Sequence, residues 1–144
     1  MQDWDKYDGL NTRLGAPADF EKPPHYSRKQ TRSMGRVALM ATYATELALE
    51  DAGLLASPLL TSGQMGIAYG SCAGSYDALV EFGNMLINHS VNGLNATSYI
   101  RMMAHTSAVN IGLFFGINGR VYTTSSACTS SSQAIGYAYE AIKH

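Results

Sequence analysis

In the run Thr123-Thr124-Ser125-Ser126-Ala127-Cys128-Thr129-Ser130-Ser131-Ser132, a β-prone segment gives way to residues that can continue only as a helix. Upstream, Val121-Tyr122-Thr123-Thr124 is β-branched and aromatic, and Gly119 marks a turn. Downstream, Ala134, Ile135, Ala138, Ala141 and Ile142 recur at three- and four-residue spacing, and Lys143 and His144 suit a helix's C-terminal half. The order strand, tight turn, Cys, helix puts a thiol where the first backbone N–H groups lack intrahelical partners and the macrodipole adds positive charge. Such a setting favours the thiolate. The alternative is an inert cysteine buried among small residues, against which the Ser and Thr flanks weigh. Cys128 is read as the candidate nucleophile.

Outward from this run, the periodicity predicts a helix over 33–53 with one small-residue face: Val37, Ala38, Ala41, Ala44, Thr45, Ala48 and Ala52. Ser33 is placed to cap it and Gly53 to stop it. Residues 63–70 read as a short buried strand, followed by the turn Ser71-Cys72-Ala73-Gly74-Ser75 and a second helix through Leu79, Phe82, Met85 and Leu86. A third helix is expected over 99–115. Residues 1–26, punctuated by Gly9, Gly15, Pro17, Pro23 and Pro24, read as an irregular arm, and 27–144 as one partial domain. Strands alternating with helices imply an α/β class with a mainly parallel sheet.

Composition narrows the function classes. A chain of 144 residues with 46% hydrophobic and 15% charged content is globular. A net charge of −1 and a pI near 6.4 argue against nucleic-acid binding. Neither a membrane-spanning run nor a signal peptide is evident, and two distant cysteines, Cys72 and Cys128, suit a reduced, cytoplasmic compartment. No His or Cys spacing suggests a metal, and no cofactor motif is present. Lys22, Arg28, Lys29, Arg32 and Arg36 form a basic stretch without an acid, whereas between Glu81 and Glu140 the only charges are Arg101 and Arg120. So charge-poor a segment is expected to be mostly interior, in a chain built to pack against more protein than it contains.

Gly70-Ser71-Cys72-Ala73-Gly74 offers a rival nucleophile, since it has the spacing of a G-x-nucleophile-x-G elbow between a strand and a helix. That reading gives an α/β-hydrolase-like enzyme built on Cys72. The bland alternative, preferred here, is that the glycines permit a tight turn with Cys72 buried beneath it. The basic stretch has two readings as well. A solvated helix start is the commoner one, yet positive charge at a helix N-terminus is mildly unfavourable and suggests another use.

Three stretches together carry a family resemblance. Asn110 to Lys143, with Phe114-Phe115-Gly116-Ile117-Asn118-Gly119, Ser126-Ala127-Cys128-Thr129-Ser130 and Ala134-Ile135-Gly136, resembles the nucleophile segment of the β-ketoacyl-acyl carrier protein synthases. Ser27 to Met34 and Met65 to Ser71 follow the same family's order and spacing. The resemblance implies a thiolase-like fold, here incomplete: the nucleophile-bearing half, with the second half and the first strand absent. It implies Cys128 as nucleophile and as oxyanion-hole donor through its backbone N–H. It puts Ala73 at the wall of the acyl pocket and Ser98 and Tyr99 near the partner's pocket. Lys29 and Arg32, with Arg28 and Arg36 beside them, would dock acyl carrier protein. The implied substrates are acyl and malonyl thioesters, the implied assembly is a homodimer paired through residues 121–125, and the histidines that assist decarboxylation would lie in the absent half. A non-catalytic partner subunit is a further alternative within the family, but such subunits lack the nucleophile.

Overall fold

The computed structural model describes residues 4–144. Helix α1 (Arg28–Thr31) is a single turn, closed by a capping box in which the Ser27 side chain meets the Gln30 N–H and the Gln30 side chain returns to the Ser27 N–H. Helix α2 (Arg36–Asp51) begins three residues after the expected cap. Ser33 does not cap it; its hydroxyl donates to Asn110 Oδ1 at 2.8 Å, 77 residues away. The N-cap is instead Gly35, which has no side chain to offer. Ser75 supplies the missing acceptor, its Oγ taking the Val37 N–H at 3.4 Å. A Cβ on residue 35 would lie 2.0 Å from that same oxygen, so the glycine is what lets the borrowed cap in. At the far end Gly53, at φ +67, stops the helix as expected.

Strand β1 (Ile67–Gly70) pairs in parallel with β2 (Val121–Thr124), Gly70 standing opposite Thr124. Between them run α3 (Tyr76–Asn88), α4 (Ala96–Met102) and α5 (Thr106–Phe115). The expected single helix over 99–115 is thus two. The Thr106 hydroxyl lies 2.8 Å from the carbonyls of both Ile100 and Met103, and Met103 is extended at ψ 134°, so the chain turns between the helices.

Alternation along the strands sends Ile67 and Tyr69 to one face and Ala68 and Gly70 to the other. The first face meets a core of Leu49, Leu60, Ala108, Ile111 and Ile117, joined by Ile67 itself. Burying each large aliphatic there is worth about 1.5–3 kcal/mol. Helix α6 (Ser130–Lys143) covers the second face, with Tyr122 stacked 5.7 Å from Tyr137. Tyr26, 1% exposed, ties the arm to this frame through a 2.8 Å bond from its phenol to Glu46, and burial pushes that phenol well above its ordinary range.

The charge-poor stretch is only partly interior: Ala108, Ile111 and Ile117 join the core, but many of its large apolar side chains do not. Leu86, Ile87, Val91, Val109, Leu113, Ile135 and Tyr139 are all exposed. Its low charge is therefore only partly matched by burial among the described residues, and it leaves apolar side chains in contact with solvent.

Candidate active site

The two strands end side by side. The Ser71 N–H donates to the Thr124 carbonyl at 3.1 Å, extending the ladder, and from this edge the chain departs into two turns, one carrying Cys72 and the other Cys128. The carboxyl ends of parallel strands are where α/β sheets gather their reacting groups.

After Thr124 the backbone folds sharply. Ala127 takes φ +49, a left-handed conformation that costs a non-glycine residue about 1–3 kcal/mol. A 3₁₀ turn, Ala127–Thr129, then leads into α6, so Cys128 sits just ahead of a 14-residue helix. Cys128 is exposed. Hydroxyls surround the bend. Ser130, 2% exposed, accepts the Ser126 N–H at 2.9 Å and donates to the Ala127 carbonyl at 2.7 Å. Thr124 donates to the Ser130 carbonyl at 2.7 Å, Thr129 donates to the Ser126 carbonyl at 2.8 Å, and Ser126 donates to Gln133. Beneath it lies Gly70, where a Cβ would stand 2.2 Å from the Ser130 carbonyl oxygen. Only a bare α-carbon lets the strand approach this closely.

The Cys72 turn is built differently. Its left-handed residue is missing: Cys72 is not among the positive-φ positions, whereas a nucleophile elbow needs that strain at the nucleophile. Cys72 is also exposed, contrary to the expected burial, because Gly74 rather than Cys72 is the residue pressed inward. The Gly74 and Ser75 N–H groups donate to the carbonyls of Met102 and Arg101 at 3.2 and 2.8 Å, binding the turn to the end of α4. Half-buried Ala73 accepts a 2.8 Å bond from the Ser71 hydroxyl on its carbonyl.

An ionic cluster holds that end of α4 in place. Arg101 bonds Asp77 at 2.7 Å and both Glu81 oxygens at 3.0 Å. Ser98, 3% exposed, donates to Glu81 at 2.5 Å and accepts the Asn95 N–H at 3.2 Å. These bonds, from Ser98 first and then Arg101, hold the Glu81 carboxyl below its ordinary value. Ser98 is thus spent inside the α3–α4 pair, and it is its neighbour Tyr99, 58% exposed, that is offered outward.

The basic residues divide. Arg28 and Lys29 belong to α1, Arg32 is its C-cap, and all three are solvent-accessible. They do not open the long helix; only Arg36 stands at its first position, where the mild dipole penalty remains. Arg36 pins the arm instead, its guanidinium donating to the carbonyls of Ala18 and Phe20 at 2.8 and 3.1 Å and lying over the Phe20 ring. Helix α1 has a signal in the sequence, the S-x-x-Q of its capping box at Ser27–Gln30, which the neighbouring run of charges obscures. His25 pairs with Glu46 at 3.0 Å and His105 begins α5; among the described residues no group of side chains could hold a metal.

An open trough of about 1050 Å³ lies at the other end of the sheet, lined by Met65, Ala68, Tyr122, Tyr137 and Ile142. It reaches neither cysteine. The strained turn and the exposed Cys128 thiol stand instead at the strand carboxyl ends.

Comparison with known proteins supplies the family. The profile of the family "Beta-ketoacyl synthase, N-terminal domain" matches residues 2–144. A crystal structure of a β-ketoacyl synthase from Burkholderia phymatum STM815 superposes with a TM-score of 0.93 at 51% identity, over 99% of this chain and 35% of that one. 3-Oxoacyl-[acyl-carrier-protein] synthase 1 of Haemophilus influenzae is 30% identical over 93% of this chain and 33% of its own length. Nodulation protein E of Rhizobium meliloti is 27% identical over 94% of this chain and 33% of its own length. The chain therefore spans about a third of these relatives. The thiolase-like architecture, the strained Cys128 turn and the match over nearly every residue lead to one conclusion: the chain belongs to the β-ketoacyl synthase family, and what it carries is part of that family's N-terminal domain.

Proposed function

We propose that the protein containing this chain is a β-ketoacyl-acyl carrier protein synthase, with Cys128 as its nucleophile. The observation that carries the reading is an exposed thiol on a strained turn at the start of α6, in a domain of this family. The Cys128 sulfur attacks an acyl thioester carbonyl; the C–S bond to the carrier breaks, and the carrier thiol leaves with a proton. A malonyl thioester then loses carbon dioxide. Its carbanion attacks the acyl-enzyme carbonyl, a C–C bond forms, and the bond to Cys128 breaks, returning the thiolate and releasing a β-ketoacyl thioester two carbons longer. The Cys128 N–H, at a helix start, is one donor for the oxyanion in both attacks. Groups that assist decarboxylation are expected outside these 144 residues.

Ala73, on the turn beside the strand ends, is proposed as acyl-pocket wall, and Tyr99, more than Ser98, as the residue offered to a partner's pocket. Arg28, Lys29 and Arg32 present positive charge suited to an acidic carrier protein, with Arg36 holding the arm beside them. A homodimer is supported by β2, which among the described residues pairs only with β1 and leaves Val121 exposed along its length.

The test compares Cys128→Ala with Cys72→Ala in the full-length protein, incubated with an acyl thioester and followed by peptide mass spectrometry. The acyl group is expected on Cys128, with Cys72→Ala condensing at near the unmodified rate and Cys128→Ala forming no acyl-enzyme. Acylation that survives in Cys128→Ala and vanishes in Cys72→Ala would put the hydrolase-like reading first.

A further inference from the structure

We infer that Ser130 is a positioning residue that holds Ala127 in its strained conformation and so aims Cys128, an inference that rests on Cys128 being the nucleophile. Two hydrogen bonds from one side chain bracket the strained residue: Ser130 Oγ accepts from the Ser126 N–H before it and donates to the Ala127 carbonyl after its α-carbon. The hydroxyl uses both its donor and its acceptor capacity on the backbone to either side of the Ala127 α-carbon. Relaxing φ from +49 to the ordinary negative region requires this backbone to rotate, and with it both of these bonds to break.

Ser130 is itself immobilised. It is 2% exposed, its carbonyl accepts from the buried Thr124 hydroxyl, and the α-carbon of Gly70 packs against that carbonyl. The brace is therefore fixed to the sheet. Cys128 follows Ala127 directly, so any rotation at Ala127 moves the Cys128 N–H and thiol together. Reaction geometry is sensitive to displacements of about 1 Å, enough to cost about a hundredfold in rate. Ser126, bonded through its own hydroxyl to Gln133 on α6, is secured from the other side.

The experiment uses the full-length protein and an acyl thioester substrate. Ser130→Ala should lower the rate of acyl transfer onto Cys128, and kcat, at least tenfold, with KM for the acyl thioester within about twofold. Ala127→Gly added to Ser130→Ala should recover most of that loss, because glycine holds a positive φ without a brace. Thr42→Val, which removes a buried hydroxyl on α2 that bonds the Met34 sulfur and no residue of the turn, should lower thermal stability while leaving acyl transfer unchanged. Ser130→Ala acylating at the unmodified rate would overturn the inference, as would failure of Ala127→Gly to recover anything. An acyl group recovered from a residue other than Cys128 in the unmodified protein is a distinct result and overturns the nucleophile assignment itself.

Discussion

Replacing Gly70 by alanine adds one methyl group at the place where strand and helix come closest. The new Cβ would stand 2.2 Å from the Ser130 carbonyl oxygen, 2.3 Å from its carbon and 2.7 Å from the Ser131 nitrogen, against an ordinary contact of at least 3.4 Å. All three atoms are backbone, so no side chain can rotate away. The start of α6 must retreat by about 1 Å, pulling on the Thr124 bond to Ser130. Overpacking of this kind costs about 1–3 kcal/mol, partly offset by the entropy that alanine removes from the unfolded chain, about 0.5–1 kcal/mol. The expected outcome is a net loss of about 1–2 kcal/mol in urea unfolding and about a hundredfold loss of acyl transfer to Cys128. Gly83→Ala is the matched contrast. It lies within α3, meets no atom within 4 Å, and should stabilise by about 0.5–1 kcal/mol with unchanged activity. If Gly70→Ala matched Gly83→Ala in both assays, the close approach of β1 to the Cys128 turn would be refuted.

Charge governs two further outcomes. Because the folded protein holds the Glu81 carboxyl below its ordinary 4.5, its contribution is present above that pH and is lost as pH falls through the folded value. Urea midpoints measured from pH 6 downward should therefore decline below about 4.5, and Glu81→Gln should start lower and decline less steeply. Lys29→Glu with Arg32→Glu should weaken binding to acyl carrier protein at least tenfold, and raised salt should weaken the unmodified protein in the same direction. Calorimetric affinities indifferent to both would return α1 to an ordinary solvated turn.

The Cys128 turn is legible in the sequence because its signals are local: a β-branched strand, a run of small hydroxyl residues, then helical periodicity. What lies beyond reach depends on partners distant in sequence. Ser33 has the chemistry of a helix cap, but Asn110 claims its hydroxyl, and nothing near residue 33 announces that. The break between α4 and α5 rests on which carbonyls the Thr106 hydroxyl meets after the chain has turned. The glycines flanking Cys72 suggest burial, whereas Gly70 and Gly74 face the backbone that would exclude a side chain and Cys72 between them does not. Ser98 and Tyr99 are neighbours with opposite fates, and the ionic cluster of Asp77, Glu81 and Arg101 that divides them brings residues from two helices together.

The cap that Ser75 lends to α2 also bears on how the chain is made. Synthesis delivers Val37 38 residues before the hydroxyl that will satisfy its N–H. Until then the first turn of α2 has no side-chain acceptor, and Gly35 gives it no local reason to stay wound. The helix start should fray on the ribosome and close only when the segment leading into α3 arrives, so the two join as one cooperative unit. A protease nick between Ser71 and Ser75 would then loosen a helix start far upstream in the chain, and amide exchange at Val37 would report it.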